Sequence, residues 1–314
     1  MTRSRLRLGR VDGALVERRR RPHAAGGGLW VVSLAWVVVA SGFGGCARHS
    51  TPERPTVLWF GGDVHFGERG GAALEGLALD GPLIVNLEGP ISTQARPSSA
   101  SALFNPPDSA ARLKSANVIA AGVDNNHAMD DGVIGLERTR SLLQQHDLAP
   151  LGSASVAGLA LLQVDLSAGV PADLEARLTR LKPTIVLFHV LAPPLYLPEP
   201  SLRRAVELAV TSGAQAVLAH GSHAIGAVER RGTTVIAWGL GNLAFDCDCT
   251  TEDEGLLVRL ELQGGRMIRA TAVPVRAGLH GQHARLLDDA TTDLSLLESL
   301  GSVLTNKTKT RADW

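Results

Sequence analysis

Aromatic side chains are scarce in this 314-residue chain, at 4% with a single Tyr. A core built on stacked rings is therefore excluded, and Ala, Val and Leu must fill the interior, with 34 Gly available for tight loops. An excess of charge is lacking too, because 31 basic residues face 31 acidic ones. That balance hides an asymmetry. Residues 1–45 hold eight Arg against Asp12 and Glu17, which leaves 23 basic and 29 acidic residues beyond them, a net of −6. So acidic a body argues against nucleic acid as a partner, since phosphate backbones are bound chiefly by Lys and Arg. Long apolar runs are also missing. The longest, residues 29–45, falls short of the roughly 20 residues of a membrane-spanning helix. Nor is there an internal repeat or a disordered composition: 45% of residues are hydrophobic and 20% charged, ordinary for a globular protein.

What is present begins with an export signal. The Arg-rich stretch, the apolar run and the small residues Gly44 and Gly45 before Cys46 have the order of a secretory signal. Phe43-Gly44-Gly45-Cys46 resembles the lipobox of bacterial lipoproteins, in which the Cys carries the lipid. An uncleaved anchor, or a cleaved signal with Cys46 incidental, are the alternatives. Each places the protein outside the cytoplasm, in the cell envelope or periplasm and membrane-anchored where Cys46 is lipidated. The expected organisation is a signal over 1–45, a linker over 46–55, a folded domain over 56–304 and a flexible tail over 305–314.

Within the domain, short β-rich runs alternate with helical patterns, the signature of an α/β fold. Strands are expected at 56–60, 83–86, 118–121, 184–188 and 216–219, and helices at 108–116, 132–146, 171–180 and 201–212. Past residue 223 the pattern changes to alternating runs at 233–238, 255–262 and 267–275, which read as antiparallel strands of a second sheet. Residues 92–103, rich in Ser and Ala, read as an exposed loop.

The polar residues collect where those strands end. The first run leads into Asp63 and His65, the second into Asn86 and Glu88, the third into Asp124, Asn125, Asn126 and His127. The fourth leads into His189 and the fifth into His220 and His223, so that five of the ten His sit at strand ends. The carboxyl ends of strands in an open α/β sheet face one crevice. Singly, such residues are more often caps, turns or hydrogen-bonded core groups; as a set they indicate a shared site. His nitrogens mixed with carboxylates suit Zn, Mn or Fe better than Mg or Ca. The donors exceed what one metal needs, and two metals about 3.5–4 Å apart can activate a water and clamp an in-line displacement.

Taken together these segments resemble the CapA-type capsule (poly-γ-glutamate) synthesis family. Gly62-Asp63-Val64-His65 is similar to its opening Gly-Asp motif, and Asn86-Leu87-Glu88-Gly89-Pro90-Ile91 matches its Asn-Leu-Glu-Gly-Pro-Ile. Residues 125–132 resemble its Asn-Asn-His motif, and Gly239-Leu240-Gly241-Asn242-Leu243-Ala244-Phe245 its Ser-Leu-Gly-Asn-Phe-Val-Phe. The resemblance spans about residues 56–276. It implies the four-layer αββα sandwich of metal-dependent phosphatases, with mixed sheets and a divalent metal, two of Mn, Fe or Zn. Asp63 and His65 would hold the first metal, Glu88 would replace the usual bridging Asp, and Asn126 would bind the second. His127 would act as general acid or transition-state stabiliser, oriented by Asp130, and His189, His220 and His223 would complete the shells. The chain departs from the family at His189-Val190-Leu191, where His-Trp-Gly is usual, and at Ala219-His220-Gly221-Ser222-His223, where Gly-His-His-Pro-His is usual; a single-metal or metal-free site is the consequence to test.

Cys247 and Cys249 admit a disulfide, a metal contact, or a turn with two small buried side chains, of which the turn is the expectation. Three functions are consistent with this reading. One is an accessory protein of capsule or poly-γ-glutamate assembly that handles an anionic surface polymer. The others are a metal-dependent phosphoester hydrolase and a scaffold with a degenerate site.

Overall fold

The computed structural model describes residues 54–67, 74–92, 96–191 and 196–305. The signal, Cys46 and nearly all of the 46–55 linker lie outside these, as do residues 306–314 of the expected tail. The described chain is a mixed α/β structure with two mixed sheets and five helices. In order it runs β1 (Thr56–His65), β2 (Leu83–Leu87), α1 (Ser109–Ser115), β3 (Val118–Gly122), α2 (Gly132–Gln145), β4 (Ala149–Leu151), β5 (Ser153–Val156), β6 (Leu159–Asp165) and α3 (Leu174–Leu181). It continues through β7 (Ile185–His189), α4 (Pro200–Thr211), β8 (Ala216–His220), β9 (Val228–Arg231), β10 (Thr234–Ala237) and β11 (Asn242–Phe245). The last elements are β12 (Glu254–Gln263), β13 (Arg266–Arg276), β14 (Gly278–Leu279), β15 (Arg285–Leu286) and α5 (Thr291–Thr305).

The larger sheet has the order β15-β13-β12-β1-β2-β3-β4, with β11 and β14 joined beside β1; the smaller has the order β5-β6-β7-β8-β10-β9. In the first, β1, β2, β3 and β4 run parallel; in the second, β6, β7, β8 and β10 do. Their sequences are near-continuous apolar runs such as Ile-Val-Leu-Phe in β7, because such strands are covered on both faces. One apolar cluster lies between the sheets, joining Leu58, Phe60 and Ile84 of the first to Ile185, Leu187 and Leu218 of the second. A second joins the first sheet to Leu113 of α1 and Leu143 of α2, and a third joins the second sheet to Leu178 of α3 and Val206 of α4. α4 shows why these helices pack as they do. Pro200 opens it, where a missing N–H costs nothing, and Leu202, Ala205, Val206 and Ala209 form one buried stripe.

The expected strands and helices are present, several of them longer than the apolar runs alone suggest. β1 carries on through Gly61 and Gly62 to His65, and β7 and β8 take in His189 and His220, so these polar residues belong to the strands rather than to loops beyond them. The C-terminal antiparallel pair is a correction to the sequence reading. β12 pairs with β1 and so extends the first sheet, while the second sheet is built from β5 to β10. Alternation in the sequence reports exposure of one face, and it carries no information on which strand lies alongside. The 92–103 segment is a second correction. Arg96, Pro97 and residues 99–101 are exposed, but Ser92 and Leu103 are buried and Ser98 reaches a site residue.

Candidate metal centre

The site lies where the parallel strands of both sheets end. Asp63, on β1, is fully buried and is the hub. Its Oδ1 accepts a hydrogen bond from Asn86 Nδ2 at 2.9 Å, and its Oδ2 accepts from the Gly221 N–H at 2.8 Å. His220 Nδ1 stands 3.3 Å from Oδ1 and His223 Nδ1 3.7 Å from Oδ2. One carboxylate of the first sheet thus holds the chain that leaves β8 of the second. Two glycines permit this approach. A Cβ on Gly62 would lie 2.0 Å from the Gly241 carbonyl oxygen, and one on Gly221, whose φ is +91°, would lie 2.2 Å from that of Val190.

Two groups of side chains have donor atoms within 4.8 Å of one another, as a metal ion requires: Asp63 with His189 and His220, and Asp63 with Glu88 and His223. Asp63 is common to both, while Glu88 belongs to one. His189 and His220 are neighbours across paired strands, with their Nδ1 atoms 3.0 Å apart. His189 Nε2 donates to Asn126 Oδ1 at 2.5 Å, which turns its Nδ1 lone pair inward. Two imidazole nitrogens and a carboxylate oxygen converging in a buried position outnumber the protons available to bridge them. Within the two donor groups, Glu88 Oε2 and His220 Nε2 are buried with no hydrogen-bond partner among the described residues, a state that normally carries a cost. The donor set of carboxylates and imidazoles fits a divalent transition metal.

The electrostatics match that arrangement. Burial pushes the Asp63 carboxyl up, but the His220 hydrogen bond and the neighbouring His220, His223 and His189 rings outweigh it and hold the group well below the usual carboxylate range. Burial, with Asp63 and Asp130 beside it, drives Glu88 well above its ordinary value. Burial also drives His189 well below the usual imidazole value, with His220 reinforcing it. Burial is the first cause at each group; the imidazoles around Asp63 oppose it, and Asp63 beside Glu88 and His220 beside His189 reinforce it.

The remaining expected residues fall in distinct places. His127 Nδ1 donates to Asp130 Oδ2 at 2.7 Å, and its Nε2 faces Glu88 Oε1 at 3.9 Å. Asp130 Oδ2 also accepts the Leu103 N–H at 2.6 Å, which fixes the carboxylate that fixes the ring. His65 stands apart from both donor groups. Its Nδ1 donates to the Glu88 carbonyl at 3.3 Å and its Nε2 accepts from Ser98 Oγ at 2.9 Å, the neutral form, in keeping with a pKa pushed down to about 4 by burial. Asn126 Oδ1 is engaged by His189 Nε2 and so meets one of the two donor groups through that ring. A cavity of about 150 Å³ opens on this cluster, bounded by Glu88, Asn126, His127, Leu191, His223 and Phe245 among others.

Two positioning residues have no role assigned from the sequence: Gln163, and Asn242, which stands there only within a family motif. Gln163 of β6 donates from Nε2 to Asn86 Oδ1 at 3.0 Å, crossing from the second sheet to the first. A lone Gln within Leu-Ala-Leu-Leu-Gln-Val-Asp was its signal. Asn242 of β11 faces His223 Nδ1 with its Oδ1 at 2.9 Å and donates from Nδ2 to the Glu252 carbonyl at 2.8 Å. Cys247 and Cys249 form a disulfide, which corrects the expectation of a turn with two small buried side chains.

Among solved structures, a hypothetical protein from Thermus thermophilus is similar, at 18% identity and a TM-score of 0.46 over 71% of this chain and 100% of that one. Curated proteins give no match. The family model of the bacterial capsule synthesis protein PGA_cap matches residues 57–160 and 163–247. Those segments hold Asp63, Glu88, His127, His189, His220 and His223, and the chain belongs to the bacterial capsule synthesis protein family.

Proposed function

We propose that this chain is an extracytoplasmic protein of surface-polymer production whose site performs metal-dependent hydrolysis on an anionic polymer or a phosphoester. The observation that carries this reading is the sharing of buried Asp63 by two donor groups, beside a His127–Asp130 pair that faces the same cavity. Two sheets packed face to face, with helices on the outer face of each, support the four-layer αββα arrangement of metal-dependent phosphatases. The export signal and Cys46 support a lipid-anchored location, and the family's name supports the role in capsule or poly-γ-glutamate synthesis. The net charge of −6 beyond residue 45 supports the absence of nucleic acid as a partner.

Asp63, His189 and His220 would hold one Mn, Fe or Zn, and Asp63, Glu88 and His223 a second. When bound, such a metal polarises a substrate oxygen and lowers the pKa of a water to near neutrality. The chain's own residues supply the rest. Asp130 orients His127 so that Nε2 points at the cavity, where the ring can hand a proton to a departing oxygen. Asn126 sets the His189 tautomer and Asn242 that of His223, the outer contacts that orient ligating imidazoles. Leu191 and Phe245 give the cavity an apolar wall, which strengthens electrostatic interactions within it.

The engagement of His65 and Asn126 by protein partners favours a second reading, in which metal anchors polymer carboxylates without bond cleavage. Hydrolysis of an aryl phosphodiester by the Mn-loaded protein, compared with His127→Ala, separates the two. Hydrolysis that falls about 10²–10⁴-fold in the variant supports the enzyme. Activity equal in both proteins, or absent from both, contradicts it.

A further inference from the structure

The disulfide has no part in the site chemistry above, yet it lies at the edge of that site. Cys249 borders the cavity that Glu88, His127 and His223 bound. Its partner, Cys247, is buried at 5% exposure beside Leu103 and Phe245, whereas Cys249 is exposed to solvent. The pair closes a loop with one residue between its members. In the chain-entropy account the gain from a cross-link rises with the length of the loop it closes. A bridge this short therefore adds little to the fold. Its position indicates a different use.

The segment that carries it, residues 246–253, spans from β11 to β12 and is tied to site residues at both ends. The Asp246 N–H donates to the His65 carbonyl at 2.8 Å. At the other end the Glu252 carbonyl accepts from Asn242 Nδ2 at 2.8 Å, and Asn242 Oδ1 meets His223 Nδ1 at 2.9 Å. Between these ties the Cys249 N–H donates to Cys247 Sγ at 3.2 Å, so the bridge folds the segment back on itself. One side chain, that of Asn242, thus joins this segment to His223.

From this we infer that Cys247–Cys249 is a thiol–disulfide exchange site whose redox state sets how the 246–253 segment holds His223 at the candidate metal centre. The reductant is a dithiol, small or protein-borne. Its thiolate attacks the exposed Cys249 Sγ, the Sγ–Sγ bond breaks, and Cys247 leaves as a thiolate. The second thiol of the reductant then displaces Cys249 from the mixed disulfide. Two electrons pass to the protein, the dithiol becomes a disulfide, and its two protons end on the two cysteines. Exposed disulfides are the labile ones, and an exported protein meets an oxidising surrounding in which the closed form persists. The reduced segment loses the fold-back at Cys249 and releases the Asn242 tie. The inference rests on the reading of His223 as a site residue, but its test needs no metal.

The experiment uses the full chain in its folded, metal-free form, treated with dithiothreitol over a range of thiol to disulfide ratios. Alkylation followed by peptide mass spectrometry reads Cys247 and Cys249 separately from Cys46. Hydrogen exchange reads the 246–253 amides, and NMR reads the His223 ring. Reduction of the pair without unfolding, exchange about tenfold faster at Cys249 and Glu252, and a shifted His223 signal are expected. A Cys247→Ser/Cys249→Ser protein should show the same fast exchange with no response to dithiol. A pair reduced only on unfolding, or reduced with exchange and the His223 signal unchanged, overturns the proposal. A chain that binds no metal leaves these readouts intact, so the loss of the hydrolase reading and the loss of this one are told apart.

Discussion

At the scale of the residue, Glu88 and His127 carry the sharpest consequences. Glu88 is buried among carboxylates, with its pKa raised by that burial and by Asp63. Its contribution to stability is therefore complete below about pH 4.5, the unfolded value, and is lost as pH rises and the unfolded chain alone ionises. Glu88→Gln in metal-free protein removes that loss. The variant is expected to melt about 2–4 °C above the parent at pH 7, with the gap narrowing toward pH 4.5; a lower melting temperature at pH 7 contradicts the assignment. In metal-loaded protein the order should reverse, because a neutral amide replaces an anionic donor. His189 has the opposite sign. Its depressed pKa makes its contribution present above the ordinary imidazole value near 6.5 and lost as pH falls, since the unfolded chain then takes up a proton that the folded ring refuses. Asp130→Asn should slow hydrolysis by about tenfold or more while leaving metal content unchanged, because that carboxylate touches His127 and no donor group. Kinetics beside elemental analysis check this.

At the scale of the element, the turn after β8 is the critical joint. Gly221 donates to Asp63 from a positive-φ backbone with Val190 against its open side. Gly221→Ala should cost about 2 kcal/mol or more, from left-handed strain and from the clash, and should displace His220 and His223 together. Thermal melting and metal content read both. How much of this is legible in the sequence differs by element. The apolar runs of β1, β2, β3, β7 and β8 locate the strands, and the polar residues that follow them locate the site, because burial and chemistry leave different residue types. The motif Asn86-Leu87-Glu88-Gly89-Pro90-Ile91 points to the family without any geometry. Pairing is not legible, since β12 looks alike whether it joins β1 or starts a new sheet. Nor is the direction of side chains. His65 closes β1 beside the other site residues, yet both its ring nitrogens are taken by Glu88 and Ser98. For Cys247 and Cys249 the sequence favours a turn, because residues so close along the chain rarely bridge, and the place of the disulfide at the cavity comes only from the fold.

At the scale of the whole molecule, the site exists because two parallel arrays end at the same level. Asp63 belongs to one sheet, His189 and His220 to the other, and Gln163 spans the two. The cluster between the sheets, with Phe60, Leu187 and Leu218 fully or almost fully buried, therefore holds the candidate site together as well as the fold. Leu218→Ala should cost about 2–5 kcal/mol and weaken metal binding without touching a donor, whereas a comparable loss from the helix layer outside the second sheet, such as Leu202→Ala in α4, should lower stability with metal affinity kept. Chemical denaturation beside metal titration distinguishes them. Asp63 stands in both donor groups, and the metal content of the purified protein by elemental analysis, with Asp63→Ala beside it, tests whether it organises a shared metal centre. Stoichiometric Mn, Fe or Zn in the parent and its loss in the variant are expected; a parent chain that holds no metal after incubation with each of these ions rules the shared centre out.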